Sequence, residues 1–376
     1  MLIKWLRNEP SSTVENKIVL LRADLNVPIE QGTVRNEHRL RRLFGTLELL
    51  ANAGARTVIV SHLESGEGNP TLAPIAQFLG KFFSVEFFPG PLEQVRARAG
   101  SLKPGSFLLL ENVRRYAGEK QNAPAFAAQL ASMADIYVND AFAVSHRSHA
   151  SIVGVPTLLP HFGGLLFEEE VEELGRAFHP EKPFVAVFGG AKCETKIPIL
   201  EKLSATADEL FVYGAIANTF LKAAGHEIGL SPHEASQFDA AERVMSGGKV
   251  VLPIDVVVVA NDTASTKDVS MVEEHDRIVD IGPRSIEQFA KSAHNARLIL
   301  WNGPLGKYEE GFTGGTEALA QAIANSGVYS LVGGGDTIAT LPEKVSNRFG
   351  FVSTGGGAML DYLAHGTLPG IAALEA

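Results

Sequence analysis

Short apolar runs recur along this chain, and each is followed by a polar or glycine-rich turn and then by a stretch with helical periodicity. The runs are apolar throughout instead of alternating with polar residues, which is typical of strands buried on both faces of a sheet. They occupy residues 18–21, 58–60, 107–110, 136–138, 184–188, 210–213, 250–259, 298–301, 329–332 and 351–352. Helical spacing appears between them at residues 38–51, 71–83, 124–133 and 198–207.

This alternation of strands and helices predicts the fold class. Parallel strands need long crossover connections, so the pattern indicates βαβ units of an α/β fold. A chain of 376 residues is also too long for one ordinary core. We therefore predict two doubly wound, Rossmann-like domains with parallel sheets, at residues 1–166 and 167–362. The acidic stretch 167–174 predicts a helix that joins the two domains as a hinge. Pro180 and Pro183 predict that this helix ends and that a strand follows.

Composition narrows the function. The net charge of −10 and the pI near 5.6 argue against a nucleic-acid-binding protein, whose footprint is a basic face. Cys193 is the sole cysteine, which excludes an intrachain disulfide and a multi-cysteine metal site. No apolar run reaches the ~18 residues of a membrane helix, and the first ten residues lack the features of a signal peptide. We expect a cytoplasmic protein without membrane or nucleic-acid partners.

Charged and polar residues follow the predicted strands of the first half. Ligands of open parallel sheets bind beyond the carboxyl ends of the strands. The planar fork of arginine suits carboxylates and phosphates, so this edge fits a small multi-anionic ligand. One arginine alone would more often pair with a local acid, but four such strand ends together favour a ligand site. The residues are Arg22, Asp24, Asn26, Ser61, His62, Glu111, Arg114, Arg115, Asn139, Asp140 and Arg147.

Glycines follow the predicted strands of the second half, at 189–190, 214, 303, 333–335 and 355–357. Glycine at a strand-to-helix turn lets backbone N–H groups approach an anion at the helix N-terminus. Lys192 and Lys196 are four apart and would share a face if they lay on the first helical turns. Asp336 follows a triple glycine and suits Mg²⁺, which takes one or two carboxylates plus phosphate oxygens.

Several established nucleotide motifs are absent. No G-x-x-x-x-G-K-[ST] occurs, which excludes a P-loop enzyme, and no H-R-D or D-F-G occurs, which excludes a protein kinase. No G-x-G-x-x-G follows the first strand, so a nicotinamide-dependent dehydrogenase stays only as a weak alternative. His146 and His149 lack a third metal ligand at suitable spacing. Cys193 and Trp301 are expected to be buried structural residues rather than a reactive thiol and a base-stacking ring.

The ordered motifs closely resemble those of the phosphoglycerate kinase family over nearly the whole chain. They include RADLNVP at 22–28, LLENVR at 109–114, YVNDAF at 137–142, GGAKCETK at 189–196, WNGPLGKYE at 301–309, GGGDT at 333–337 and STGGGA at 353–358. The resemblance implies reversible phosphoryl transfer from 1,3-bisphosphoglycerate to ADP, giving 3-phosphoglycerate and ATP with Mg²⁺. It also implies a monomer, a hinge-bending motion that closes the domains, and a C-terminal segment, about residues 363–376, that returns to the first domain.

The resemblance also implies residue roles. The phosphoglycerate site would comprise Asp24, Leu25, Asn26, Arg39, His62, Leu63, Glu64, Ser65, Arg114 and Arg147. The nucleotide site would comprise Gly190, Lys192, Lys196, Gly214, Gly303, Glu309, Gly334, Gly335, Asp336 and Thr337, with Asp336 on the metal. Arg39, Lys192 and Gly356 would act on the transferring group.

The sequence departs from the family pattern at three places. Glu64 and Ser65 stand where the family commonly has a glycine and a substrate-side arginine, so a carboxylate enters the anion site. Tyr213 is expected to narrow or reshape the adenine pocket, and Lys307 with Tyr308 replaces a usual Val-Phe near the base. A catalytically weakened nucleotide-binding paralogue of the same fold is the alternative that these changes leave open.

Overall fold

Each half of the chain folds around a parallel six-stranded sheet in the structure, a computed structural model that describes residues 3–35, 37–64 and 70–375, except for the side chain of Glu343. The chain divides into two compact units. The first comprises Met1–Glu172 with Thr367–Ala376, and the second comprises Glu173–Gly366.

The sheet of the first unit has the strand order β5-β6-β4-β1-β7-β8, with every neighbouring pair parallel. A two-stranded antiparallel ribbon, β2 with β3, lies outside it. The strands are β1 Ile18–Ala23, β2 Ile29–Glu30, β3 Thr33–Val34, β4 Arg56–Val60, β5 Val85–Phe88, β6 Phe107–Leu110, β7 Ile136–Asp140 and β8 His161–Gly163.

Helices connect these strands and cover the sheet: α1 His38–Arg42, α2 Phe44–Asn52, α3 Ala73–Leu79, α4 Val95–Gly100, α5 Ala117–Lys120, α6 Pro124–Ala131 and α7 Leu165–Gly175. The single helix expected at 38–51 is broken into α1 and α2. The break lies at Leu43, whose N–H bonds to the carbonyl of Leu40 three residues back instead of four.

The core of the first unit lies between its sheet and helices. Val19, Leu21 and Ile59 of the strands are fully buried against Leu47 and Leu50 of α2. Burial of each such side chain contributes about 1.5–3 kcal/mol relative to exposure. This packing holds the strand ends, and therefore the loops that follow them, in fixed positions.

The second unit has the strand order β11-β10-β9-β15-β16-β17, again with every pair parallel. Its strands are β9 Phe184–Phe188, β10 Glu209–Val212, β11 Val250–Val251, β12 Asp255–Ala260, β13 Thr263–Asp268, β14 Arg277–Ile281, β15 Leu298–Asn302, β16 Tyr329–Gly333 and β17 Phe351–Val352. Its helices are α8 Ile197–Thr206, α9 Gly214–Ala223, α10 Phe238–Ser246, α11 Pro283–Asn295, α12 Gly314–Ser326, α13 Gly335–Ala339, α14 Glu343–Ser346 and α15 Gly356–His365.

The apolar run at 250–259 is not one strand of a parallel sheet, and that expectation is wrong. Pro253 interrupts it, and Pro lacks the N–H that a sheet needs. β11 ends at Val251 on the edge of the parallel sheet, whereas β12 is the middle strand of a separate antiparallel sheet, β13-β12-β14.

The last residues pack on the first unit. The final helix, α16 Pro369–Glu375, buries Ile371 and Leu374, and Gly370 N–H donates to the carbonyl of Ser145 at 2.8 Å. The division between the units falls inside α7, between Glu172 and Glu173. The two-domain α/β fold predicted from the sequence is confirmed. None of the helices in the described ranges is long and apolar enough to cross a membrane.

Candidate active site

Polar side chains gather at the carboxyl edge of the first sheet because neighbouring parallel strands end together there. Arg22 of β1 lies beside Val60 of β4 and Asn139 of β7. Ser61 then joins the first two loops: its hydroxyl accepts from Leu25 N–H at 3.0 Å and donates to the carbonyl of Ala23 at 2.8 Å. Leu25 is itself fully buried, so its backbone rather than its side chain shapes the site.

Arg39 projects from α1 onto the loop after β1. Its Nη1 lies 3.2 Å from Asp24 Oδ2 and donates to the carbonyl of Asn26 at 3.0 Å. The Asp24 side chain is 2 % exposed, whereas that of Arg39 is 27 % exposed. Asp24 therefore holds the guanidinium from the protein side, while about a quarter of the Arg39 side chain is exposed.

The loops after β1 and β4 are joined again through Asn26. Its side-chain oxygen accepts from the backbone N–H of Glu64 at 2.8 Å. Leu63 is buried, and its carbonyl accepts from Asn112 Nδ2 at 2.9 Å. Ser65 lies outside the described residues, so its predicted role in substrate binding stays a prediction.

Arg114 lies in the short turn Val113–Arg115 after β6, and its guanidinium pairs with the carboxylate of Glu64. The side chain of Arg114 is 11 % exposed and that of Glu64 is 63 % exposed. Burial, and next the charge of Arg22, lowers the pKa of Arg114. A cation in such surroundings favours an anionic partner, and within the described residues Glu64 supplies one.

His62 is buried among the same arginines. Its ring nitrogen Nδ1 lies 3.2 Å from Nη2 of Arg22. Burial, followed by the charges of Arg22, Arg114 and Arg39, holds the pKa of His62 far below its usual range. Arg147 is exposed, but its charge also lowers the pKa of Arg114 and His149, so it belongs to the same positive cluster.

Two residues near this cluster were not predicted as site residues: Glu119 and Ser151. Arg22 was predicted among the polar residues of the ligand-binding edge, but without an individual role. Glu119 is fully buried in α5 and carries no local motif. Its contacts with Ser151 bridge 32 positions of sequence, which no periodicity reveals.

The glycine turns of the second unit contact one another. Gly189 N–H donates to the carbonyl of Asn302 at 2.9 Å, and Gly190 N–H donates to the carbonyl of Pro304 at 2.7 Å. Gly214 begins α9 with φ +63°, and a Cβ on it would come within 2.7 Å of Gly190 N. The loops after β9, β10 and β15 therefore approach more closely than side chains would allow.

The two lysines of the GGAKCETK motif have different surroundings. Lys192 is exposed, whereas the Lys196 side chain is buried and its Nζ donates to Asn302 Oδ1 at 2.9 Å. Burial lowers the pKa of Lys196 to about 8, opposed by the charge of Asp336. We expected the two lysines to share a face if they lay on the first turns of a helix. Both precede α8, which begins at Ile197, so they do not lie on its first turns.

The loop after β16 joins the same edge. Thr337 Oγ1 accepts from Gly303 N–H at 3.0 Å, and Gly334 has φ +114°, a conformation that favours glycine. Gly335 is the first residue of α13. Gly356, the first residue of α15, lies so close that a Cβ on it would come within 2.9 Å of Gly334 Cα.

A cavity of about 420 Å³ opens beside these turns. Its walls include backbone of Gly190 and Gly214 and side chains of Tyr308, Glu309 and Asp336. Burial, and next the charges of Asp336 and Glu309, raises the pKa of Tyr308 to about 12. The volume falls within the usual range for small-molecule sites, about 300–1,000 Å³.

Tyr213 was expected to narrow this cavity, and the structure places it elsewhere. Its ring is fully buried against Phe211, and its hydroxyl donates to the carbonyl of Ser285 at 3.1 Å. The Tyr213 ring, which follows β10, lies in the core of the second unit, whereas Gly214 lines the cavity. Lys307 and Tyr308 line the cavity, and their expected position near the base stays a prediction.

The donor set of the site fits a metal only in combination with phosphate. No group of three or more His, Cys, Asp or Glu side chains that could hold an ion occurs in the described part of the chain. Asp336 is exposed at the cavity and offers one carboxylate. Mg²⁺ commonly takes one or two carboxylates and completes its shell with phosphate oxygens and water, so Asp336 fits a nucleotide-borne Mg²⁺.

Cys193 and Trp301 are structural, as predicted. Cys193 is buried, and burial raises its pKa to about 11, which leaves an unreactive thiol at neutral pH. Trp301 is fully buried in β15 and its Nε1–H donates to the carbonyl of Gly303 at 2.9 Å.

Two parallel-sheet domains, one with a basic strand edge and one with a glycine-rich edge and a small-molecule cavity, define a protein of the two-domain α/β class. The family profile described as phosphoglycerate kinase matches residues 10–366. The chain belongs to the phosphoglycerate kinase family.

Individual relatives match this chain over almost its full length. Phosphoglycerate kinase from Moorella thermoacetica is 41 % identical over 382 residues, covering 96 % of this chain and 97 % of the relative. That from Rubrobacter xylanophilus is 42 % identical over 379 residues, covering 96 % of each. The solved phosphoglycerate kinases from Coxiella burnetii and Pyrococcus horikoshii OT3 both superpose with TM-score 0.87, at 40 % and 30 % identity. Each superposition covers 99 % of this chain. It covers 99 % of the Coxiella burnetii structure and 98 % of the Pyrococcus horikoshii structure.

Proposed function

We propose that the protein catalyses reversible transfer of a phosphoryl group from 1,3-bisphosphoglycerate to ADP, giving 3-phosphoglycerate and ATP with Mg²⁺. The observation that carries the proposal is the buried ammonium of Lys196 at the glycine-rich edge. Asn302, its hydrogen-bond partner, is neutral, so the charge remains available to nucleotide phosphates. Family membership gives the reaction class in which such a site is used.

On the phosphoglycerate side, Asp24 and Asn26 bind the substrate hydroxyl, while Arg39, His62, Arg114 and Arg147 bind its carboxylate and phosphate. The contact of Arg39 with Asp24 supports this assignment, because it fixes the guanidinium at the carboxyl edge of the sheet. Leu25, Leu63 and Glu64 contribute the backbone around the bound molecule, and Ser65 is a further proposed substrate-binding residue.

On the nucleotide side, Gly190 and Gly214 provide close backbone approach and Glu309 accepts hydrogen bonds from the ribose hydroxyls. Lys192 and Lys196 bind phosphates, together with the loop that comprises Gly303 and residues 334–337. The shared cavity supports this grouping for Gly190, Gly214, Glu309 and Asp336. Asp336 holds Mg²⁺, which when bound lowers the charge repulsion around the nucleotide phosphates.

The chemistry needs positioning and positive charge more than a covalent nucleophile. The transferred group carries charge on its equatorial oxygens in the transition state. Arg39, Lys192 and the N-terminal backbone of α15 at Gly356 stabilise that charge. The acceptor carboxylate of 3-phosphoglycerate is ionised at neutral pH, so no general base is required. We further propose that the protein acts as a cytoplasmic monomer.

A coupled assay with 3-phosphoglycerate, Mg²⁺ and either ATP or GTP tests the function. We expect turnover with ATP at millimolar substrate concentrations. Absence of turnover, combined with calorimetry that detects nucleotide binding but no phosphoglycerate binding, would instead identify a non-catalytic paralogue. Glu64 beside Arg114 is the observation that motivates this second candidate.

A further inference from the structure

Arg22 is a buried arginine whose role the proposed reaction does not yet explain. Its side chain is 1 % exposed at the end of β1. Nε donates to Ser151 Oγ at 2.8 Å, Nη1 donates to the carbonyl of Ala23 at 2.5 Å, and Nη2 lies 3.2 Å from His62 Nδ1. All three nitrogens have partners, so the guanidinium is fixed in orientation.

Ser151, the partner of Arg22 Nε, is itself held by buried groups. Its N–H and hydroxyl both donate to the carboxylate of Glu119, at 2.9 and 2.6 Å. Tyr137 donates its hydroxyl to the carbonyl of Ser151 at 2.7 Å. Glu119 is fully buried and accepts both hydrogen bonds from Ser151. The position of Arg22 is therefore determined from several sides.

The contact between Arg22 and His62 decides where the histidine proton lies. A guanidinium has five N–H donors and no acceptor, and it stays charged in proteins. Nδ1 of His62 must therefore accept from Arg22, and the proton of a neutral imidazole must be on Nε2. The surrounding charges act in the same direction. Those that lower the pKa of His62 are Arg22 from β1, Arg39 from α1, Arg114 from the turn after β6, and His149.

We propose that Arg22 is a positioning residue that fixes His62 as a neutral imidazole with its proton on Nε2. This inference rests on the proposed function, in which His62 contacts phosphoglycerate. A neutral ring in the other tautomer would direct a lone pair at the substrate anion and repel it. The tautomer set by Arg22 makes His62 a hydrogen-bond donor without adding another cation to the arginine cluster.

Ring-nitrogen NMR of isotope-labelled protein tests the tautomer directly and needs no enzymatic activity. In the full-length wild type at neutral pH, His62 should show an unprotonated Nδ1 and a protonated Nε2. In Arg22→Met the donor is lost, so His62 should show mixed tautomers and a higher pKa. Arg22→Lys retains a charged donor and should preserve the wild-type tautomer. A wild-type His62 with its proton on Nδ1, or charged at neutral pH, would overturn the proposal.

Steady-state kinetics tests the consequence for binding. Arg22→Met should raise KM for 3-phosphoglycerate roughly 10-fold or more, the scale of one hydrogen bond to a charged group, with a much smaller change in kcat. Arg22→Lys should restore much of the affinity. Arg56→Met is the matched control, since Arg56, at the start of β4, donates to the carbonyls of Leu102 and Asn16 away from the site. It should leave KM unchanged.

The two readouts separate the possible failures. A wild type that lacks turnover but has the expected His62 tautomer would refute the proposed function and leave the positioning of His62 by Arg22 supported. An active enzyme in which Arg22→Met is folded, as judged by its thermal melt, and keeps both the tautomer and KM would refute the role of Arg22.

Discussion

Lys196 Nζ occupies the space that a side chain at Gly303 would need. The ammonium donates to Asn302 Oδ1 at 2.9 Å, and a Cβ on Gly303 would come within 2.7 Å of Nζ and 2.5 Å of the Gly189 carbonyl oxygen. Gly303 also has φ +97°. Close packing of this lysine and the backbone therefore depends on the absence of a side chain at one position.

We expect Gly303→Ala to destabilise the protein by more than the ~1–2 kcal/mol that a left-handed backbone conformation costs an alanine, because a clash adds to the strain. KM for ATP should rise as Lys196 is displaced. Gly311→Ala is the matched control: φ is +86° and a Cβ there would meet nothing within 4 Å. Thermal melts and ATP kinetics of both variants test this. Equal destabilisation would contradict the placement of Lys196.

Glu64 pairs with Arg114, so under the proposed function a substrate anion that binds Arg114 must displace the Glu64 carboxylate. Glu64→Gln removes the charge and keeps the backbone N–H that donates to Asn26. We expect KM for 3-phosphoglycerate to fall roughly 2- to 10-fold, as for the loss of a competing interaction of about 0.5–1.5 kcal/mol, with little change in kcat. Initial-rate kinetics measures both parameters.

The surface ion pair between Glu86 and Arg98 provides a control variant for Glu64→Gln. Glu86 pairs with Arg98 outside the site, and Glu86→Gln should leave KM for 3-phosphoglycerate unaltered. A raised KM in Glu64→Gln would mean that the carboxylate itself helps to bind the substrate, which would refute competition for Arg114.

Arg39 and Arg41 offer a direct comparison on one helix. Arg39→Ala should lower kcat by ~100-fold or more, the scale for losing one charge contact made in the transition state. Arg41 lies two residues further along α1, where it pairs with Glu37 in the exposed i,i+4 position. Arg41→Ala should retain kcat. Single-turnover and steady-state rates of the two variants decide the role, and a kcat within a few-fold of wild type for Arg39→Ala would exclude it.

The sequence predicted the buried strands well because they are covered on both faces and carry no polar alternation. It did not predict β5 Val85–Phe88, which is a half-buried edge strand containing Glu86, or β13 Thr263–Asp268, which is polar and mostly exposed. Neither has the apolar signature on which the prediction depended.

The site was predicted less completely than the fold, since its supporting contacts join distant positions. Lys196 and Asn302 are 106 residues apart, and Arg22 and Ser151 are 129 apart. Local patterns place each residue at a strand end but do not show which strand ends meet. The expected effect of Tyr213 on the cavity was wrong for a related reason: Tyr213 follows β10 and packs on Phe211 in the core, whereas the adjacent Gly214, which has no side chain, lines the cavity.

His149 makes the stability of the protein depend on pH. Burial, and then the charges of Arg114, Arg22, Arg147 and Lys120, lowers its pKa from 6.5 to about 4. Between these values the unfolded chain binds a proton that the folded protein does not, so stability is lost as the pH falls from about 6.5 toward 4. Replacing the histidine removes this loss.

We therefore expect His149→Gln to show a smaller decrease in unfolding free energy than wild type between about pH 7 and pH 5, by ~1–2 kcal/mol. Asp140 and Asp280, whose pKa values burial raises to about 6, act in the opposite direction but are common to both proteins and cancel in the comparison. Urea unfolding at the two pH values measures the difference. His226→Gln, at an exposed position, is the control and should follow wild type. If His149→Gln also follows wild type, the pKa of His149 is not lowered in the folded protein, and its place within the arginine cluster is incorrect.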